Sequence, residues 1–193
     1  MYQPILQHIA RYITLQPAEE QLLVSLLGHR RLRRRQYLLQ EGEVCRYEYF
    51  VLKGCLRAYT VDAGGQEHIL QFAVEGWWIG DMHSFQSGRP SALQIDALED
   101  AELLMIDRDS LERLYREAPA FERYFRLIIQ NAWISLQQRM LSAMAKPAAE
   151  RYKDFLQQYP NIEQRVPDRL VAAYLGIKPQ SLSRIRGRAA RKQ

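Results

Sequence analysis

The sequence predicts an α+β chain, with a β-rich segment followed by a long helix and a small helical domain. Short apolar segments bounded by glycine turns recur at regular spacing through residues 37–106, as in a β sandwich or barrel. From about Asp109 onward the apolar residues recur instead at helical spacing. Near the C-terminus, two short apolar segments flank a glycine turn at Gly176, which indicates a helix-turn-helix.

The individual elements follow from local patterns. Residues 4–28 read as one or two short helices with apolar faces, and 109–115 as a helix that stops near Pro119. The turn Asp62–Glu67 is a strong hairpin signal. The predicted strands are residues 37–42, 49–54, 55–61, 68–73, 94–98 and 101–106.

A long helix is predicted over residues 120–145, which contain neither Pro nor Gly and run for roughly seven turns. Its apolar stripe is explained either by core packing against the β segment or by a dimer seam, although Arg139 interrupts it. We favour the seam, because a helix-turn-helix needs a dimer to span two half-sites. The candidate seam residues are Phe125, Ile128, Ile129, Ala132, Trp133, Leu136 and Met140.

The positive charge is concentrated at the C-terminal end of the chain. Residues 147–193 carry ten Lys or Arg and four Asp or Glu, whereas residues 1–146 carry 17 and 18. From Arg169 onward there are seven cations and no acid. An acid-free basic helix is what contact with DNA phosphates requires, so the pattern favours a DNA-binding module attached to another domain.

This order of elements resembles that of the Crp/Fnr superfamily of bacterial transcription regulators. The resemblance implies a jelly-roll-like, cyclic-nucleotide-binding-like β domain, dimerisation through the long helix, and a second helix-turn-helix helix that enters the major groove. It also implies RNA polymerase and a small-molecule effector as further partners. The residues that carry it are Gln40–Gly42, Tyr49–Gly54, Asp62–Glu67, Trp77–Asp81, Asp100–Leu103 and Leu170–Arg186.

Matching the helix-turn-helix motif assigns DNA contacts to the second helix. Gln180 and Arg184 are the predicted base readers, since Gln suits adenine and Arg suits guanine, and Ser181 projects beside them. The predicted phosphate contacts are Lys178, Ser183, Arg186 and Arg188. Relatives often continue into a two-stranded wing. This sequence predicts a domain that lacks a full wing, with Arg188, Arg191 and Lys192 forming a basic tail.

The effector pocket departs from the pattern of the family members that bind cyclic nucleotides. Those members have a Gly-Glu pair, whose Glu meets the ribose, and an Arg ten residues later that pairs with the cyclic phosphate. Here the corresponding residues are Gly80, Asp81 and Ser91, with Arg89 two positions early. A serine cannot supply the charge of a guanidinium, so we expect no binding of cyclic AMP. The candidate pocket residues are Gly80, Asp81, Arg89, Ser91 and Ala92.

Other side chains give weaker signals. Trp77 and Trp78 with Phe72 and Phe85 fit a ligand pocket and a barrel core equally well. The run from Arg30 to Arg35 reads as a solvated strand edge, with an accessory contact to DNA or anionic lipid as the alternative. The acids Asp96, Glu99, Asp100 and Glu102 read as solvated surface.

Several classes of function are not supported. No catalytic constellation stands out, and the four histidines have no metal-ligand spacing, so we expect neither an enzyme, a metal site nor a cofactor. Cys45 and Cys55 are expected to be reduced thiols. The N-terminus has no signal-peptide pattern and no segment is apolar enough to span a membrane, which predicts a cytoplasmic protein.

The predicted organisation is an effector domain over residues 1–118, a dimerisation helix over 119–146 and a helix-turn-helix domain over 147–193. The predicted function is a homodimeric regulator that binds double-stranded DNA and responds to an unidentified effector or to none. The alternative is a small-molecule sensor whose shortened C-terminal domain contacts a protein partner.

Overall fold

The computed structural model describes residues 1–190, and their side chains up to residue 188. It confirms the mixed α+β architecture. The helices are α1 (Gln3–Ile9), α2 (Pro17–Leu26), α3 (Met82–Ser87), α4 (Arg108–Glu117), α5 (Ala120–Ala145), α6 (Ala148–Gln158), α7 (Asp168–Leu175) and α8 (Pro179–Ala190). The strands are β1 (Gly28–Leu32), β2 (Tyr37–Leu39), β3 (Tyr47–Lys53), β4 (Leu56–Val61), β5 (Glu67–Ala73), β6 (Trp78–Ile79), β7 (Gln94–Ala97) and β8 (Ala101–Asp107).

The strands form two four-stranded sheets, with the orders β1-β8-β3-β6 and β2-β7-β4-β5. Strand β8 pairs with both β1 and β3, and β7 pairs with both β2 and β4, all antiparallel. The turn between β3 and β4 requires Gly54. Its φ is +98°, and a Cβ there would lie 2.7 Å from the Asp100 carbonyl oxygen. The sequence patterns did not predict the short elements β6 and α3.

The chain divides into two compact units, each of which is described by itself. The first contains residues 1–59 and 72–131, and the second contains residues 60–71 together with the chain from Ala132 onward. Among the described residues, no helix is long and apolar enough to cross a membrane.

An aromatic cluster organises the core of the first unit around Tyr124, which is fully buried on α5. Trp78 Nε1–H donates to the Tyr124 hydroxyl oxygen (2.9 Å), and that hydroxyl lies 2.9 Å from His8 Nδ1. The Tyr124 hydroxyl is therefore hydrogen-bonded to both rings, and the tautomer of His8 decides which group donates in the Tyr124–His8 bond. Burial, and then the charge of Arg11, lower the pKa of His8 below its ordinary value.

The same packing resolves the two interpretations of the aromatic side chains. Phe72 and Phe85 are buried, while Trp77 and Trp78 are half-buried and pack against the core of the first unit. The structure thus places Phe72 and Phe85 in the packed interior, and Trp77 and Trp78 at the edge of the core.

A buried ion pair corrects the interpretation of Asp96 as solvated surface. Asp96 on β7 lies opposite Arg57 on β4. The Arg57 guanidinium donates to both carboxylate oxygens, from Nε to Oδ1 (2.8 Å) and from Nη2 to Oδ2 (3.1 Å). It also lies 3.9 Å above the centre of the Tyr59 ring. Both charged groups are buried, and the bidentate geometry offsets part of their desolvation.

The second unit has its own small core. Phe155, Tyr159 and Tyr174 form a triangle with ring centroids 5.0–5.7 Å apart. Ala172 and Leu182 are fully buried where α7 packs on α8, since a small side chain on α7 lets the helices approach closely. This packing gives α8 a fixed orientation on α7.

Candidate nucleic-acid interface and effector site

The turn between α7 and α8 has the geometry of a helix-turn-helix. Gly176 ends α7 in the left-handed region (φ +63°), and the Ile177 N–H closes the turn by donating to the Ala172 carbonyl (3.0 Å). Pro179 is the first residue of α8, where its missing N–H costs nothing. The sequence predicted this arrangement, because glycine and proline stand where these two backbone conformations require them.

One face of α8 is exposed and carries the residues predicted to contact DNA. Gln180, Arg184 and Arg188 lie at successive i, i+4 positions, and all three side chains are exposed. Lys178 and Ser183 are exposed beside them, and Ser181 is half-buried. This face offers amide, hydroxyl and guanidinium groups without a carboxylate. The predicted tail residues Arg191 and Lys192 lie outside the described residues.

Arg186 differs from the other predicted phosphate contacts. Its guanidinium pairs with Asp168 at the start of α7, and its Nε lies 3.3 Å from Glu163 Oε1. The charge of Arg186 is therefore partly neutralised inside the helix-turn-helix, and its side chain holds α8 to α7. Asp168 and Glu163 both precede the acid-free segment that begins at Arg169. The sequence pattern therefore did not predict that they pair with Arg186.

Arg139 on α5 joins three segments of the second unit. Its Nη2 donates to the Ile69 carbonyl (2.8 Å) and to the Tyr174 carbonyl (2.8 Å), and its Nη1 donates to the Leu70 carbonyl. The guanidinium also stacks 3.7 Å from the centre of the Tyr174 ring. Arg139 therefore links the β4–β5 hairpin to α7. Arg139, which the sequence showed as an interruption of the apolar stripe, lies at the edge of the stripe and donates hydrogen bonds to three backbone carbonyls.

The apolar stripe of α5 is largely exposed. Phe125 is buried in the core of the first unit and Ile128 is half-buried against it, so the structure places these two predicted seam residues on the core side. The remaining predicted residues, Ile129, Ala132, Trp133, Leu136 and Met140, are exposed. Trp133 is 64% exposed, and Met144, four residues beyond Met140, is 83% exposed. A row of exposed apolar side chains along one helix is typical of an interaction surface.

In the candidate effector site, Asp81 and Ser91 bind each other. Asp81 is the N-cap of α3, and its Oδ1 accepts from the N–H groups of His83 (3.0 Å) and Ser84 (3.2 Å). The Ser91 hydroxyl donates to the other oxygen, Oδ2 (2.7 Å). Both residues are buried, so the carboxylate is satisfied within the protein.

The other predicted pocket residues surround this pair. Gly80 precedes Asp81 and is half-buried, whereas Arg89 and Ala92 are exposed. The Arg89 carbonyl accepts from the Ser84 hydroxyl (2.6 Å), which fixes the backbone of the loop but leaves the guanidinium in solvent. The structure thus brings Gly80, Asp81 and Ser91 together and does not bring the Arg89 side chain to them.

Glu48 is a buried carboxyl beside this site that the sequence did not indicate. Its carboxyl lies against Gly80, where a Cβ would be 2.5 Å from Glu48 Oε2. Its Oε1 is buried without a hydrogen-bond partner among the described residues. Burial, and then the negative charge of Asp81, raise the pKa of Glu48 to about 8. At neutral pH this carboxyl is therefore mainly protonated.

Comparisons with known proteins agree with this architecture. The family model of the cyclic nucleotide-binding domain matches residues 29–118. The anaerobic regulatory protein of Haemophilus influenzae is 26% identical over 191 residues, which cover 91% of this chain and 72% of that protein. The anaerobic regulatory protein of Aggregatibacter actinomycetemcomitans is 26% identical over 171 residues. This match covers 81% of this chain and 65% of that protein, just under two thirds of its length.

A solved structure shows the same fold. FixK2 of Bradyrhizobium japonicum aligns with a TM-score of 0.76 at 21% identity, covering 86% of this chain and 85% of that one. The alignment covers most of both chains, so the likeness concerns the architecture as a whole.

The first prediction concerns Glu48. Because the folded protein keeps this carboxyl protonated up to about pH 8, its burial costs stability as pH rises from about 4.5 to 8. Glu48→Gln removes this titration, so the unfolding free energy of the variant relative to the wild type should rise by up to roughly 4 kcal/mol between pH 5 and pH 8.5. Denaturant unfolding at both pH values measures it. Glu112→Gln, at an exposed position on α4, is the control, and equal pH dependence in wild type and Glu48→Gln would refute the assignment.

The second prediction concerns Arg139. Arg139→Met should remove three hydrogen bonds to carbonyls. The free energy of local opening in residues 60–71 and in α7 should then fall by about 1–3 kcal/mol, and amide exchange in both segments should become faster. Arg123→Met, an exposed position on the same helix, should leave both segments unchanged. Exchange followed by mass spectrometry makes the comparison, and protection that survives in Arg139→Met would show that these contacts do not hold the segments.

Proposed function

We propose that this chain is a transcription regulator of the Crp/Fnr type that binds double-stranded DNA as a homodimer through α8. Its similarity to the cyclic nucleotide-binding domain and to the anaerobic regulatory proteins supports the proposal. The observation that carries the proposal is the exposed face of α8, which bears Gln180, Arg184 and Arg188 without a carboxylate and is held rigidly by the buried α7–α8 contact. A rigid helix with such a face fits the major groove, where Arg reads guanine and Gln reads adenine. Lys178, Ser183 and Arg188 supply phosphate contacts, and Ser181 supports Arg184 through a contact of 3.4 Å.

We further propose that the apolar stripe of α5 is the dimer seam. Ile129, Trp133, Leu136, Met140 and Met144 follow one another at intervals of three or four residues, as in a coiled-coil seam. Each is exposed in the single chain, and removal of its apolar surface from water contributes about 25 cal/mol per Å². A two-fold dimer also gives two recognition helices, which a palindromic operator requires.

The effector domain is proposed to lack cyclic AMP binding. In relatives that bind cyclic nucleotides, the positions of Asp81 and Ser91 hold the ribose and the phosphate, whereas here the two side chains satisfy each other at 2.7 Å. A cyclic phosphate would also meet the Asp81 and Glu48 carboxyls, while the Arg89 guanidinium lies in solvent. Any signal in this domain, from another ligand or from a partner such as RNA polymerase, would act by shifting the population of DNA-binding conformers.

The third prediction tests DNA recognition. Selection of sequences bound by the purified protein from random duplex DNA should enrich an inverted repeat, equally with and without cyclic AMP. Arg184→Ala should then lower affinity for the selected site by roughly 5- to 150-fold and relax one base position. Lys178→Ala should weaken all sequences alike and reduce the salt slope by about 0.9. Arg113→Ala on α4 is the control, because it also removes an exposed arginine. It should change neither the affinity for the selected site nor the salt slope.

Each alternative gives a different result. Failure to bind any duplex at low salt, with no enriched sequence, would refute the DNA-binding proposal and favour a sensor that contacts a protein partner. Enrichment only in the presence of cyclic AMP would refute the proposal for Asp81 and Ser91.

The fourth prediction tests the seam. The double substitution Trp133→Glu with Met140→Glu should raise the dimer dissociation constant at least about 100-fold, which corresponds to about 2.7 kcal/mol. Ile134→Glu replaces an exposed apolar residue on a different face of α5 and should leave the dimer intact. Sedimentation velocity over a range of concentrations measures both. A dimer that is unaffected by the double substitution would place the interface elsewhere.

A further inference from the structure

A second stripe runs along the C-terminal half of α5, and it is polar. Its members, Ser135, Arg139, Ser142 and Lys146, follow one another at intervals of four, three and four residues, so they lie on one side of the helix. Lys146 directly follows α5, and its N–H donates to the Ser142 carbonyl (2.9 Å), which continues the helical turn. At about 100° of rotation per residue, this polar stripe is centred roughly 130° around the helix from the apolar stripe. The two stripes therefore face different neighbours.

The first two residues of the polar stripe bind α6 and α7. Ser135 Oγ accepts from Gln158 Nε2 on α6 (3.2 Å), and Gln158 Oε1 accepts from the Tyr174 hydroxyl on α7 (3.1 Å). Arg139 donates to the Tyr174 carbonyl and stacks on the same ring. Tyr174 is buried, so these bonds close a network that joins three helices.

The last two residues of the polar stripe bind Asp154 on α6. The Ser142 hydroxyl and the Lys146 ammonium both donate to Asp154 Oδ2, at 3.0 Å and 2.8 Å. These hydrogen bonds, first that of Lys146 and then that of Ser142, hold the pKa of Asp154 below its ordinary value, so this carboxylate is charged at neutral pH. Pro147 separates α5 from α6 in sequence, and the shared carboxylate ties the two helices together across it.

All of these contacts lie within the second compact unit, which contains α5 from Ala132 onward together with α6, α7 and α8. The proposed seam residues Trp133, Leu136 and Met140 belong to the same unit and are exposed. The polar stripe holds α6 and α7 on α5, and the buried contact of Ala172 with Leu182 holds α8 on α7. In a two-fold dimer, the position of each α8 is therefore set directly by the seam.

A rigid connection between seam and recognition helix makes DNA binding sensitive to the distance between half-sites. Half-sites one helical turn apart have centres about 34–36 Å apart, so one added base pair moves a half-site by about 3.4 Å and turns it by about 35°. A flexible connection accommodates this change with little loss, because the effective concentration of the second helix falls slowly with distance. A rigid dimer must instead strain or release one half-site.

We propose that Ser135, Arg139, Ser142 and Lys146 determine the half-site spacing that this protein accepts. By holding the helix-turn-helix on α5, they make the dimer select operators with one separation between the two half-sites. This inference rests on the proposed DNA-binding homodimer and deepens it, because it assigns part of the specificity to residues outside α8. The side chains of α8 select the sequence of a half-site, and the polar stripe selects the distance between two of them.

The test uses the full-length protein and the inverted repeat selected from random DNA. Three duplexes are compared, namely the selected repeat, the same repeat with one base pair inserted at its centre, and a single half-site. The wild type should lose at least about 30-fold in affinity on the insertion, because a rigid dimer then engages only one half-site. The affinities are compared as ratios at one salt concentration, so a uniform electrostatic change cancels.

The stripe variant Ser135→Ala, Arg139→Met, Ser142→Ala, Lys146→Ala removes the polar contacts and places good helix formers at all four positions. It should lose less than about fivefold on the insertion, because α8 can then reposition, while it keeps the base preference of the wild type on the single half-site. Asp154→Ala removes only the shared acceptor of Ser142 and Lys146, and its loss on the insertion should be intermediate.

The control variant Gln137→Ala with Gln138→Ala changes two other exposed polar residues of α5 and should keep the full loss on the insertion. Half-site binding and thermal unfolding check that each variant folds, and sedimentation velocity checks that it remains a dimer. A loss below about fivefold in the wild type, or an undiminished loss in the stripe variant, would overturn the proposal. If the stripe variant does not fold, Asp154→Ala decides by the same criterion. A wild type that is monomeric, or that binds none of the duplexes, would instead refute the proposed function.

Discussion

The anchoring of α5 in the core of the first unit is the interaction on which that core depends. Phe121 and Tyr124 are fully buried, and the Tyr124 hydroxyl joins Trp78 to His8 by hydrogen bonds of 2.9 Å. Successive residues of an α-helix are rotated by about 100°, so these two positions set which side of residues 120–131 faces the core. Ile129 lies on another side of this segment and is exposed. A polar group that cut the Tyr124 network would therefore disturb both the core and the orientation of this part of α5.

The sequence predicted those elements whose pattern is repeated over many residues. The helix over 120–145 matched because nothing in 26 residues breaks it, and β3 and β8 matched because their apolar residues recur between glycine turns. Strand β1 was indicated only as a solvated strand edge over Arg30 to Arg35, because its sequence, Gly-His-Arg-Arg-Leu, is polar, and it pairs with β8 through its backbone. The interpretation of Asp96 was wrong for a related reason. Its partner Arg57 is 39 residues away in sequence, and only the sheet register brings the two together.

In the candidate sites, too, the sequence predicted the features that depend on local conformation and not those that depend on the fold. The helix-turn-helix was readable because Gly176 and Pro179 have local conformational roles that a sequence displays directly. That Ser91 stands where the family resemblance implies a phosphate-binding arginine in members that bind cyclic nucleotides was also visible in the sequence. The sequence did not show the hydrogen bond from Ser91 to Asp81 or the buried Glu48 beside them. Both depend on how α3 folds back between two strands. Sequence alone could therefore show that Ser91 carries no charge, and the structure shows that its hydroxyl donates to Asp81.

The arginines of this chain differ in whether the fold gives them partners, and this difference bears on the proposed binding of DNA. Arg57, Arg139 and Arg186 each bind carboxylates or carbonyls within the protein, since a guanidinium removed from water must find acceptors. Arg33, Arg34, Arg35 and Arg188 are exposed and have no carboxylate partner among the described residues. A phosphate can bind the second group without breaking any internal contact, so the full gain from counterion release is available. The cations available to a polyanion are those without a carboxylate partner in the fold, and the formal net charge of +5 does not identify them.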